Sequence, residues 1–322
     1  MTFTIRRLPG NPIIRAGMDA RMGTNIQGPS VIRVPDWVPD PLGRYYLYFA
    51  DHKGDYIRLA YADAVEGPWR VHAPGSLSLN DSLFQTTPPE PGAAPPPPAL
   101  PGIAPSGTPG IEDVALDATL PHIASPDVHV DHENRRIVMY FHGLSAWRTQ
   151  RTRAALSSDG VHFTARPELF GPSYFRVFRH DGAHFALAMP GILFRSADGL
   201  TGFEQGPTLF EPLMRHAALL KRGDDLFVFW TRVTDAPERI LVSRIPLRGD
   251  WRGWREEPAA ELMRPEMDWE GAGLPVEPSW RSAINLRVNQ LRDPCIFEDE
   301  GRVWLFYAVA GEAGIAVAEL LG

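Results

Sequence analysis

Arg292-Asp293-Pro294-Cys295-Ile296-Phe297, a turn at Glu300-Gly301, Val303-Trp304-Leu305-Phe306-Tyr307 and then Gly314-Ile315-Ala316-Val317-Ala318 form the stretch on which the fold turns. Short apolar runs rich in β-branched and aromatic residues, punctuated by Gly, read as three antiparallel strands. Working back toward the N-terminus, the same rhythm returns four times. Residues 29–34, 45–50 and 57–62 make one copy, closed by Gly67-Pro68-Trp69. A second copy has 126–130, 137–142 and 152–157 and ends at Ser158-Asp159-Gly160; a third has 174–178, 184–189 and 192–196, and its Asp198-Gly199 ending mirrors the second. The fourth has 216–220, 226–230 and 240–243, with Trp251 and Trp254 behind it. Each meander bares two apolar faces that a neighbour must cover, so five copies predict an all-β, five-bladed β-propeller.

On this reading residues 1–322 form a single domain with two irregular stretches. A Pro-rich inter-blade insertion at about 86–110 holds Pro95-Pro96-Pro97-Pro98, which cannot donate ladder hydrogen bonds. A long loop at about 256–290 carries Asp268-Trp269-Glu270-Gly271 and Trp280. Composition agrees with a turn-rich β chain: Gly 29 and Pro 32 among 322 residues, with 44% hydrophobic residues. A coiled coil, a collagen-like chain and global disorder are excluded. One cysteine, Cys295, rules out an internal disulfide. The start, Met-Thr-Phe-Thr-Ile-Arg-Arg, has no apolar run of signal length, and no membrane span is legible, so the expected address is the cytoplasm. A net charge of −7 offers phosphate backbones no general attraction, so neither nucleic acid nor membrane is an expected partner.

The blade rhythm, and above all Arg292-Asp293-Pro294-Cys295-Ile296-Phe297 followed by Val303-Trp304-Leu305-Phe306-Tyr307, resembles the five-bladed propeller carbohydrate enzymes. These are the family 43 arabinanases and xylosidases and the related families 32, 117 and 130. The resemblance implies a small carbohydrate substrate in a central pocket, where Asp-Pro pairs open innermost strands and carboxylates act as base, pKa modulator and acid. Asp293 matches that pattern. Gln27-Gly28-Pro29 and Ser125-Pro126 stand where two further aspartates are expected.

Innermost strands of a propeller converge on one axis, so residues just before each strand share one mouth. They are Asn25, Gln27, His122, Ser125, Tyr174, Arg176, Arg215, His216, Arg292 and Asp293, with Asp51, His52, Lys53, His142, Arg232 and Glu312 added from second-strand ends. Three arginines in the first group point to an anionic sugar, because guanidinium forks match oxyanions. Asp293, His122 and His216 are the acid/base candidates, the two histidines standing at what read as equivalent blade positions. Glycoside cleavage uses two carboxylates, and Glu270 on the long loop is the candidate for the second. Trp37, Trp147 and Trp269 are candidates for stacking on sugar rings, whereas Trp69, Trp251 and Trp254 read as blade-closing core. A structural reading stands beside these: the arginines bridge blades through ion pairs, and the histidines are hydrogen-bonded scaffold. No cofactor is required, and a divalent ion held by the inner histidines and Asp293 is compatible with the sequence though no spacing demands it. Hydrolysis, elimination or phosphorolysis by His, Tyr and Arg, and carbohydrate binding without catalysis, all remain open at this level.

Overall fold

A computed structural model of the chain describes residues 2–92, 97–111 and 114–322. Of the proline run, Pro95 and Pro96 lie outside the described residues. Among the described residues five antiparallel sheets follow one another along the chain, each with its first strand innermost. Blade one is Gln27–Arg33, Tyr45–Ala50, Tyr56–Ala62 and Arg70–Ser78. Blade two is Ile123–Asp131, Arg136–Ala146, Thr149–Ser157 and the short Thr164–Ala165. Blade three is Arg176–His180, Ala183–Ala188, Ile192–Ser196 and Glu204–Thr208. Blade four is Met214–Arg222, Asp225–Arg232, Ile240–Pro246 and Ala260–Met263, so the irregular stretch after residue 256 supplies its outermost strand.

Blade five, Arg292–Asp299, Arg302–Ala308 and Gly314–Leu321, takes its fourth strand from the other end of the chain. Thr4–Arg7 pairs antiparallel with the C-terminal strand, from Thr4 opposite Leu321 to Arg7 opposite Ala318. The short alternation Thr-Ile-Arg-Arg gave no blade signal by itself. Pairing the first strand with the last covers an edge that would otherwise be open to other chains.

Among the described residues five apolar clusters fill the five junctions and so close the ring. Ile32, Tyr46 and Tyr48 of blade one meet Ile123, Met139 and Phe141 of blade two. Val138 and Tyr140 meet Phe175 and Phe194, and Phe185 and Leu187 meet Val228 and Trp230. Phe229 and Ile240 meet Leu305 and Tyr307, and Phe306 and Val317 return to Leu47 and Phe49. Each such side chain contributes about 1.5–3 kcal/mol by leaving water. Trp69, Trp251 and Trp254 are buried in these clusters, in the core role expected of them.

The mirrored turns of blades two and three are one device used twice. Asp159 Oδ1 accepts from the backbone N–H groups of Val161 and His162, and Asp198 Oδ1 accepts from those of Leu200 and Thr201. These bonds favour the ionised carboxylates and hold both groups down, Asp198 to about 2 despite the opposing effect of burial. The preceding blade then ties on: Tyr48 Oη donates to the Gly160 carbonyl and Tyr140 Oη to that of Gly199, both at 2.7 Å.

Candidate active site

Every innermost strand except that of blade three carries a register shift at its start, between Gln27 and Ser30, Ala124 and Asp127, Met214 and Ala217, and Arg292 and Cys295. A bulge lets two residues face one on the partner strand and re-aims side chains, here toward the axis. Gly28, Ser125 and Asp293 lie inside these shifts with φ of 64°, 51° and 47°, and Tyr174, two residues before the unshifted strand of blade three, has φ of 70°. Left-handed backbone is costly for a residue such as Tyr174, and non-glycine examples concentrate at functional sites. The starts also crowd one another, since a Cβ on Gly28 would stand 3.2 Å from Ser125 Cα.

Asp293 is at the centre. Its Oδ1 accepts from Tyr174 Oη at 2.7 Å and lies 3.5 Å from His216 Nε2, while Oδ2 is buried with no protein partner. Burial and the charge of Glu312 raise its pKa to about 6, against the opposing influence of Tyr174, Arg215 and His52. His216 packs against the Tyr174 ring with centroids 5.1 Å apart, and its nitrogens are approached by Asp293 N at 3.3 Å and Arg215 Nε at 3.2 Å. Burial and the neighbouring Arg215 and Arg292 keep the imidazole neutral, far below its usual pKa. Arg176 lies over the Tyr174 ring at 4.0 Å, donates to the carbonyls of Ser125, Pro126 and Ala217, and keeps Nη2 without a protein partner.

Behind this group sits a closed ring of alternating charge. Arg215 lies 3.6 Å from Glu238, Glu238 3.3 Å from Arg292, Arg292 2.8 Å from Glu312, and Glu312 4.0 Å from Arg215. None of the four residues is more than 2% exposed. Glu238 and Glu312 each stand two residues before the third strand of their blade. Glu312 also accepts from Asn25 at 2.7 Å and lies 3.3 Å from His52 Nδ1, and its ionised form is held far below the usual carboxylate range by His52, Arg292 and Arg215 although burial opposes it. Gln290 Oε1 accepts twice from Arg292. The cationic mouth expected from the sequence is therefore corrected: Arg215 and Arg292 are neutralised by Glu238 and Glu312. Glu238 and Gln290 were missed; both lie in loops with no strand signal, and only their approach to Arg292 marks them out.

Four further expectations change. Glu270 is not beside Asp293. It is fully buried between blades four and five, where it accepts from Arg7 Nε at 2.8 Å, Tyr307 Oη at 2.9 Å and the backbone N–H groups of Glu266 and Met267. A short helical turn at Asp268–Glu270 sets it there, and its acceptor positions are spent on holding the N-terminal strand. His122 and His216 are not equivalent: His216 lies inside the blade-four bulge, whereas His122 precedes its strand, bonds the Leu120 carbonyl at 2.7 Å and meets the His142 ring at 5.7 Å. Both His122 and His142 are buried and kept neutral, chiefly by desolvation. Arg232 is half-exposed and paired with Glu211 at 2.6 Å, outside the Asp293 cluster. Trp37 turns its ring to His132, at the opposite end of the channel. Gln27 is buried at the start of its strand.

The two irregular stretches meet over this mouth. Trp280 O accepts from Arg215, Ser282 O from Arg292 and Ile284 O from Asn25, so the segment before blade five lies across the site. The Pro-rich insertion joins it through Arg281 N to Gly102 O at 2.8 Å and Asn285 N to Gly110 O at 2.9 Å. The far end of the channel holds a cavity of about 420 Å³ near Asp127, His129 and Cys295. Arg176 also lines it, and two ion pairs lie in its wall, Asp127 with His129 at 2.7 Å and Arg33 with Asp299 at 3.1 Å. Among the described residues no group of three or more His, Cys, Asp or Glu is arranged to hold a metal, and no helix is long and apolar enough to cross a membrane.

Five blades closed around a buried axial carboxylate define a class, the five-bladed β-propellers with the fold of glycoside hydrolase families 43 and 130. A protein of the GH130 family of mannoside phosphorylases, which contains glycoside hydrolases targeting β-1,2 mannosidic linkages in Candida mannan, superposes with a TM-score of 0.63 at 12% identity over 99% of this chain and 94% of that one. A GH43 β-xylosidase/α-arabinofuranosidase from a compost microbial metagenome gives 0.55 at 11% identity over 99% and 94%. The exo-β-1,3-galactanase of Phanerochaete chrysosporium gives 0.54 at 12% identity over 91% of this chain, which spans 59% of that longer enzyme. In sequence, the chain belongs to one family with "Uncharacterized protein R118" of Acanthamoeba polyphaga mimivirus, at 37% identity over 343 residues covering 98% of this chain and 89% of the viral one. No protein-family model matches.

Proposed function

We propose that the chain is a carbohydrate-active enzyme, glycoside-hydrolase-like, that cleaves a small glycoside at the axial mouth with Asp293 as its proton-donating carboxyl. The observation that carries this reading is the Asp293 carboxyl itself. It is buried beside Tyr174 and His216, has one oxygen unpartnered, and has a pKa raised to about 6, the range in which a carboxylic acid gives up a proton near neutrality. His216, neutral and with its Nε2 3.5 Å from Oδ1, flanks that carboxyl on the oxygen other than the unpartnered Oδ2. The loops that meet over the mouth favour a short substrate over the interior of a polymer. An anionic substituent on the sugar would be met by Arg176, because Arg215 and Arg292 are engaged by their glutamates.

One observation favours a second reading. Glu312, the other carboxylate near Asp293, has both oxygens engaged, by Arg292 and His52 on one side and Asn25 on the other. Hydrolysis uses a second, free carboxylate to activate water or form the intermediate, whereas phosphorolysis brings its own anionic nucleophile. The test is a panel of small neutral and uronic glycosides incubated with and without inorganic phosphate. Product formation by the native protein, lost by at least 100-fold in Asp293→Asn, supports the proposal; strict dependence on phosphate selects phosphorolysis, and an unsaturated, ultraviolet-absorbing product selects elimination. Full turnover in Asp293→Asn, or sugar binding by calorimetry with no product after prolonged incubation, refutes it.

A further inference from the structure

We propose that Glu238 is a positioning residue for this site: by closing the ring with Arg292, Glu312 and Arg215, it fixes the guanidinium that orients His216 toward Asp293. The inference rests on the assignment of Asp293 and His216 just given, and it concerns a residue that touches neither of them.

The geometry is specific. Glu238 comes from the loop between the second and third strands of blade four, and its backbone is pinned to the approach of blade five, where Leu291 N donates to Glu238 O at 2.9 Å. Its two carboxylate oxygens face different arginines, Oε1 toward Arg215 at 3.6 Å and Oε2 toward Arg292 at 3.3 Å. Both separations are ion-pair rather than hydrogen-bond contacts, and neither oxygen has a hydrogen-bond partner in the protein. A fully buried carboxylate is tolerated at that cost only where opposite charge surrounds it. Arg215 in turn lies 3.2 Å from His216 Nε2 through its Nε, the same nitrogen that faces Glu238. Glu238 thus bears on the one Arg215 atom that meets the imidazole.

Removing the charge leaves two guanidinium groups sharing Glu312, and Arg215 is then free to turn toward the carboxylate of Asp293. The groups that face Asp293 come from four blades. Blade three gives Tyr174 and Arg176, and blade four gives Arg215 and His216. Blade five gives Arg292 and Glu312, and blade one gives His52. Of these only the arginines gain unopposed charge when Glu238 is neutralised, so the sign is fixed: the ionised form of Asp293 is favoured and its midpoint falls.

The experiment needs no substrate. In protein labelled with ¹³C at aspartate side-chain carboxyls and ¹⁵N at histidine rings, the Asp293 midpoint and the His216 ring shifts are followed by NMR from pH 4 to 8 in the native chain, Glu238→Gln and Glu238→Asp. The Asp293 and His216 signals are assigned by their loss in Asp293→Asn and His216→Gln. The expected result is an Asp293 midpoint lower by about one pH unit in Glu238→Gln, with changed His216 ring shifts, and a smaller displacement of the same sign in Glu238→Asp. An unchanged midpoint and unchanged ring shifts in folded Glu238→Gln overturn the proposal. Should that variant not fold, the same null result in Glu238→Asp, whose shorter side chain retracts the charge from both arginines, overturns it equally. Because the readout is a titration and not a turnover, its failure is separable from failure of the glycosidase reading, which the Asp293→Asn assay decides.

Discussion

Replacing Glu270 by Ala separates a scaffold residue from a catalytic one. The carboxylate accepts from Arg7, Tyr307 and two backbone N–H groups in a fully buried position, so truncation leaves the Tyr307 hydroxyl and one face of the Arg7 guanidinium unpaired. Breaking a buried pair by removing one partner costs about 3–5 kcal/mol. The lower end applies here, because Arg7 keeps Glu266 and the Arg264 carbonyl and its side chain is 18% exposed. With an unfolding entropy of about 2.1 cal/mol/K per residue, 322 residues amount to about 0.7 kcal/mol/K, so ~3 kcal/mol lowers Tm by about 4–5 °C. Scanning fluorimetry or calorimetry at pH 7 reads this directly, and turnover on any substrate found for the native chain, measured well below the transition, is expected to stay within about twofold. A Glu270→Ala protein with native Tm and abolished turnover would place this carboxylate in the chemistry and refute the clasp.

Other outcomes follow from the same contacts. The Asp293 pKa is raised in the folded chain, so between the unfolded value near 4 and about 6 the native state binds the extra proton and stability falls as pH rises. Asp293→Asn removes that fall, and urea titrations at pH 4.5 and 7 should show the variant more stable than the native chain at the higher pH by about 2–3 kcal/mol. Asp198 is the opposite case: its pKa is depressed to about 2, so its contribution is present above pH 4 and lost as pH falls toward 2, and Asp198→Asn should flatten the acid limb of a Tm–pH curve. Tyr48→Phe and Tyr140→Phe each delete one inter-blade hydrogen bond and should each cost about 1–2 kcal/mol in urea unfolding. Because they lie at different junctions, the double variant should be additive within about 0.5 kcal/mol.

The blades were legible because their signal is local. Continuous apolar runs at 45–50 and 303–307, Gly and Asp at the turns, and tryptophans after the third strands act through neighbours in the chain, so composition within a dozen residues specifies them. Asp293 was legible for a related reason: an Asp-Pro pair at a strand start has one place to go once the strand is fixed. What no local pattern contains is which charges meet. Arg292 and Glu238 are separated by more than fifty positions, and Arg7 and Glu270 by 263, so whether a glutamate serves the site or the scaffold depends on distances that exist only after the ring closes. The sequence alone determined a five-bladed ring with an aspartate at its axis. Tertiary structure decided that the arginines around it are balanced, that Glu270 holds the first strand, and that Glu238 reaches the site, because Coulomb attraction and desolvation act through space and not along the chain.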